Sequence, residues 1–168
     1  GIENINLVDI LHAKSLGYKI KLLSISEIKN NLLMERVHPC LIEDNSLIAK
    51  IDGVLNAIVV DGLPIGRTII QGEGAGPGAT SSALISDLCS ILRGNIKYPF
   101  GVSSDIRKRV SYFNLLNHLC SSYFRIEVKD IPGVLSSITQ MFAKNKISIK
   151  NLIQKHDKKN KKASIIII

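Results

Sequence analysis

Tryptophan is absent from this 168-residue chain, and the aromatic residues together make up only 5%. So few rings leave little for stacking bases, which weakens a nucleic-acid reading of the net charge of +8. Much of that charge sits in one run, KHDKKNKK at 155–162, between two apolar stretches, where a solvated hairpin tip explains it. Cysteine is scarce too. Cys40, Cys89 and Cys120 are odd in number and far apart, which suits the reduced thiols of a cytoplasmic protein rather than a disulfide framework. His12, His38, His118 and His156 do not share a ligand spacing with cysteines or acids, so no metal site is expected.

No apolar stretch approaches the roughly 20 residues that span a bilayer, and GIENINLVDI lacks the basic-then-apolar layout of a secretory signal. No membrane partner is therefore expected. The opening lacks a methionine and the end is the bare run SIIII, so both ends read as cut. What is present is a globular composition, with 45% hydrophobic and 21% charged residues.

Along the chain, Asn6 is placed to cap a helix over LVDILHAKSL, with Gly17 as its stop. YKIKLLSIS (18–26) alternates as a half-buried strand does, and RVHPCLI (36–42), VLNAIVV (54–60) and IGRTII (65–70) are further strand candidates. DGLP (61–64) supplies turn residues for an antiparallel hairpin between the last two. SALISDLCSILR (82–93) carries a helical apolar stripe, and NIKYPFGVSSD opens a connecting segment over 95–121. A second unit then starts: a strand at 122–128, a helix beginning at Pro132, a strand at 147–154 and a β-branched run at 163–168. The order β-α-β-β is two-thirds of the ferredoxin-like plan. The predicted class is α+β, a mixed or antiparallel sheet with helices over 1–94, followed by a truncated ferredoxin-like unit at 122–168.

The stretch QGEGAGPGATSSALISD (71–87) is the one that invites chemistry. GAGPGA (74–79) formally matches a dinucleotide fingerprint between a predicted strand and a predicted helix, where backbone N–H groups approach a phosphate. A complete Rossmann unit needs a further parallel strand and an acid about 20 residues on. GNIKYPFG follows instead, and no Gly-Lys-Ser/Thr closes the loop as a Walker motif would. Two readings stay open: glycines serving a sharp turn, or a backbone wall against a cofactor held mainly elsewhere. No catalytic set is legible. Glu43 and Asp44 are adjacent and point apart, and His38 beside Pro39 reads as a core or hairpin histidine.

Taken together, GIENINLVDILHAKSLGYKIKLLSI, RVHPCLI and GVLNAIVVDGLPIGRTIIQGEGAGPGATSSALISDL resemble the C-terminal half of the catalytic region of homoserine dehydrogenases. FRIEVKDIPGVLSSITQMFAKNKISIKNLIQ resembles the ACT domain attached to many of them. The resemblance implies an NAD- or NADP-dependent interconversion of L-aspartate 4-semialdehyde and L-homoserine, in threonine and methionine biosynthesis, by a homodimer or higher homo-oligomer. It implies that Gly76, with Gly74 and Ala75 beside it, contacts the cofactor. The Rossmann domain, the catalytic lysine and the substrate-binding acids would lie upstream, so no catalytic residue is expected in this chain. In the ACT segment, Asp130, Gly133, Val134 and Asn151 are the effector-binding candidates, with threonine as the implied effector. The rival expectation is a non-catalytic amino-acid-sensing module.

Overall fold

The computed structural model describes residues 2–95, 97–98, 101–157 and 161–168. These divide into two compact units: one of residues 1–25, 36–41 and 113–168, the other of 26–35 and 42–112. The connecting loop expected from residue 95 and the basic run at 155–162 both lie partly outside the described residues.

Helix α1 (Leu7–Ser15) follows Asn6 as expected, and Gly17 beyond it takes a φ of 79°. Strands β1 (Tyr18–Lys29) and β2 (Leu32–Glu43) are hydrogen-bonded neighbours and longer than their alternation suggested. Asn30 and Asn31 join them with φ of 51° and 59°. Two consecutive left-handed residues make the primed turn that matches strand twist, and asparagine tolerates that conformation better than most residues. A two-residue connection leaves only an antiparallel pairing.

In the second unit, β3 (Leu55–Gly62) pairs antiparallel with β4 (Gly66–Glu73), from Leu55 opposite Glu73 to Gly62 opposite Gly66. This is the hairpin predicted around DGLP. Helix α2 (Pro77–Leu92) follows, and it starts five residues before the expected Ser82. Pro77 at the first helical position explains the early start, because its ring fixes φ where a helix needs it and its missing N–H costs nothing there. A two-residue strand β5 (Ser111–Tyr112) adds to β2 in parallel.

The C-terminal part of the first unit is a three-stranded sheet with a helix on one face. Strand β6 (Phe124–Lys129), helix α3 (Val134–Lys144), β7 (Leu152–Asp157) and β8 (Lys162–Ile167) follow in sequence. The sheet order is β6-β8-β7, with both pairings antiparallel. That is the order of the first three strands in the expected plan. Ile138 of α3 closes on Ile165 and Ile167, with Ile126, Val128 and Phe142 around them. Phe124 meets Phe142 edge-on, ring centroids 5.7 Å apart. Two boundaries differ from expectation. Gly133, at φ 92°, is the N-cap, so Pro132 lies before α3 rather than inside it. Strand β7 begins at Leu152 rather than Ile147, because residues after α3 close that helix: the N–H of Ile147 bonds the Phe142 carbonyl, and Lys146 turns left-handed.

Candidate functional site

The glycine loop is built by three residues doing different things. Gly74 ends the hairpin, its N–H donating to the Val54 carbonyl at 3.0 Å. A Cβ on Gly74 would run into the exposed Asn56 side chain of β3, which would have to swing aside. Gly76 is the N-cap of α2 with a φ of 115° and ψ of 154°, a conformation that L side chains rarely adopt. A Cβ there would meet nothing within 4 Å, so its demand is conformational, and its Cα faces open space. No side chain caps α2. The first amides of a helix have no partner within it, and they carry the positive end of the helix dipole. Ala75 lies between the two glycines and is exposed. The loop therefore offers an uncapped, exposed helix start behind a backbone tied to Val54, just before β3.

The second candidate lies between β6 and α3. Residues 128–135, with Gln154 of β7 and Ile165 of β8, line a pocket of about 310 Å³. Asp130, Gly133 and Val134 are all in that lining; Asn151 is not. Asn151 sits at the far end of the sheet, where its N–H and carbonyl pair with Ile168. The turn's amides are unequally free. The N–H of Asp130 donates to the Lys161 carbonyl and that of Ile131 to the Lys129 carbonyl, each at 3.0 Å. Pro132 has none, so the amides of Gly133 and Val134, at the helix start, are the ones turned to new use. The Asp130 carboxylate is held by His156 of β7, whose Nδ1 donates to Oδ2 at 2.8 Å.

Both candidates share a pattern: a strand, a glycine with positive φ at the N-cap, and a helix. The homoserine dehydrogenase family model matches residues 1–89, and the ACT domain model matches residues 122–168. The chain belongs to the homoserine dehydrogenase family. The homoserine dehydrogenase of Helicobacter pylori is 37% identical over 166 residues, covering 99% of this chain and 39% of that protein. That of Neisseria gonorrhoeae is 34% identical over 181 residues, covering 100% and 40%. A crystal structure of a homoserine dehydrogenase from Thiobacillus denitrificans superimposes with a TM-score of 0.83 at 33% identity, over 99% of this chain and 39% of that one. The S. aureus homoserine dehydrogenase at pH 7.0 gives 0.64 at 27% identity, over 100% and 40%. The chain thus spans about two-fifths of the length of the homoserine dehydrogenases it matches. Among the described residues no His/Cys/Asp/Glu cluster could hold a metal, and no helix is long and apolar enough to cross a membrane.

Sequence reasoning missed a polar cluster in the first unit. Asp9 and His12 of α1 are buried, and Tyr123 and Arg125 reach Asp9 from more than a hundred residues away. No local signal marks such a pair. Asp9 and His12 lie with Ala13 on the buried face of α1, opposite Leu7, Ile10 and Leu11, which are exposed, so apolar periodicity points to the wrong face of this helix.

Proposed function

We propose that this chain supplies the distal part of the catalytic region and an ACT unit to a homoserine dehydrogenase. The domain assignment that goes with this is 1–94 catalytic region, 95–121 connection and 122–168 ACT. One observation carries the reading: relatives named for this activity align over essentially the whole chain, across both family models. The activity is the NAD(P)-dependent interconversion of L-aspartate 4-semialdehyde and L-homoserine, in a cytoplasmic homo-oligomer. The nicotinamide dinucleotide, when bound, supplies or accepts the hydride. This chain's part is Gly74, Ala75 and Gly76 as one wall of its site. The geometry fits that part, since the open Cα of Gly76 and the uncapped start of α2 suit a phosphate or other anionic group at the helix end. The catalytic lysine, the substrate acids and the residues that choose NAD or NADP belong to other parts of the enzyme, so the 168-residue chain alone turns nothing over.

The test is a chimera in which residues 1–168 replace the matching segment of the Helicobacter pylori enzyme. Oxidation of NADPH with aspartate semialdehyde is expected, and Gly76→Val is expected to raise KM for the cofactor. A folded but inactive chimera, or turnover by the isolated chain, would overturn the assignment.

The pocket at 128–135 supports an amino-acid effector site in the ACT unit. There the Gly133 and Val134 amides take the carboxylate of the effector, threonine being the first to test, and Asp130 takes its ammonium group. Asn151, at the far end of the sheet, serves the same effector only from a neighbouring copy. Calorimetric titration of the chain with threonine checks this: heat that disappears in Asp130→Asn supports the site, and a flat wild-type trace sinks it.

A further inference from the structure

Four donors converge on the Asp9 carboxylate. Asp9 is the third residue of α1, and its Oδ2 accepts the backbone N–H of Asn6 at 3.0 Å, closing the helix start. Its Oδ1 accepts the Tyr123 hydroxyl at 2.9 Å and Arg125 Nε at 2.6 Å, and Oδ2 accepts Arg125 Nη2 at 3.4 Å. Arg125 is braced in turn by Glu127, Nη1 to Oε1 at 2.9 Å. Asp9 is 4% exposed, so these are shielded, charge-assisted bonds rather than a surface pair.

The alternation of β6 explains why they form. Ile126 and Val128 face the α3 core, which turns Arg125 and Glu127 to the opposite face of the sheet. On that same face Ile166, paired with Arg125 across β8, is only 1% exposed, so the second face of the sheet is covered as well. Helix α1 lies within the homoserine dehydrogenase match, and β6 lies within the ACT match.

We propose that Asp9 is a shared joint, one carboxylate that both closes the start of α1 and fastens to it Arg125 of β6 and Tyr123 just before that strand. The ACT segment is then an integral layer on α1, and α1 is the first element of the dehydrogenase region to feel a displacement of β6. The consequence is directional. Loosening the β6 side frees the helix start, because the same oxygens serve both. The joint stands whether or not the 128–135 pocket binds an amino acid.

Hydrogen exchange read by mass spectrometry on the 168-residue chain tests it, with α3 as internal reference. In the wild type, α1 is expected to be protected. In Arg125→Met its exchange is expected to accelerate by at least about tenfold while α3 is unchanged. Tyr123→Phe, which removes one of the donors, is expected to accelerate α1 less, and Arg125→Lys to recover part of the protection. Asp9→Asn combined with Arg125→Met is expected to do no more than the larger single change. Four results would overturn the joint: an unprotected α1 in the wild type, equal losses in α1 and α3, additive changes, or no response of α1 to Tyr123→Phe and Arg125→Lys. The last two variants are mild enough to keep the fold if Arg125→Met does not.

Discussion

The two compact units use similar sequence for opposite ends. In the unit that contains α3 and the β6-β8-β7 sheet, Ile138, Ile165, Ile166 and Ile167 are buried, and Asp9 and His12 are buried with them. In the other unit, only Met34 and Ala49 are buried among the described apolar residues. Helix α2 has no buried residue, and Leu84, Leu88 and Ile91 on it are more than half exposed, as are Ile58 and Ile70 on the β3–β4 hairpin. Hydrophobic periodicity is present in both, though apolar residues are gathered more sharply on one side of α3 than of α2. It specifies a secondary structure and a face, but burial, worth about 25 cal/mol per Å² of apolar surface, comes only from what covers that face.

The sharpest way to break this contrast is one truncation in each unit. Ile165→Ala removes a side chain 1% exposed at the centre of the α3 core, and is expected to cost about 2–5 kcal/mol in urea unfolding. Ile70→Ala, at a position 61% exposed, is expected to stay within about 0.5 kcal/mol. Equal effects would mean that the two units draw on apolar burial alike.

Acid should separate the units next. Burial lowers the His12 pKa from its usual 6.5, and the charges of Lys155 and Arg125 add to this against the pull of Asp9. Folded His12 therefore stays neutral where the unfolded chain takes up a proton, and stability is expected to fall as pH drops below about 6.5. Burial works against charge on Asp9, but the bonds from Arg125, Asn6 and Tyr123, with the guanidinium charge, outweigh it and hold its pKa below 3.8. A second loss follows as pH falls through that lowered value. Denaturation followed against pH is expected to lose the first step in His12→Gln and the second in Arg125→Met. A pH-independent midpoint between 7 and 5 in the wild type would remove His12 from the account.

The glycine loop gives a smaller contrast within ten residues. Gly76 needs its φ of 115°, so Gly76→Ala is expected to cost on the order of 1 kcal/mol. Gly78 lies inside α2 with ordinary φ, and a methyl group added there would meet nothing within 4 Å. Gly78→Ala is therefore expected to stabilise by about 0.5–1 kcal/mol. Melting temperatures moving in the same direction would show that the loop's backbone is set by something other than these two residues.

This loop also shows how far the sequence carried. Motif order led to the family, and the DGLP hairpin and the β-α-β-β order of the C-terminal segment were legible because turn residues and periodicity act locally. Local chemistry was misjudged where one residue outweighed the pattern. Pro77 starts α2 early, Gly133 excludes Pro132 from α3, and Asn30-Asn31 makes a primed turn that strand periodicity passes over. The Asp9–Arg125 joint was not legible at all, since its partners are 116 residues apart and only the fold brings them together. Of the candidate sites, the turn at 130–134 was visible as a motif, whereas the pocket around it needed Gln154 and Ile165 from strands folded back beside it.

The smallest effect is expected where the geometry looks strongest. Asp61 and Arg67 face each other across the β3–β4 hairpin and form a two-pronged ion pair, Nε to Oδ1 at 2.7 Å and Nη2 to Oδ2 at 2.9 Å. Their side chains are 60% and 68% exposed. Water competes for both charges there, and holding two flexible side chains in one geometry costs entropy. The Asp9–Arg125 pair has one short prong at 2.6 Å and one longer at 3.4 Å, but a shielded carboxylate with four donors. Asp61→Asn is therefore expected to leave the unfolding midpoint unchanged within error at about 0.15 M salt, while Asp9→Asn shifts it clearly. Matching shifts would mean that pair geometry, rather than burial, sets the worth of a salt bridge in this chain.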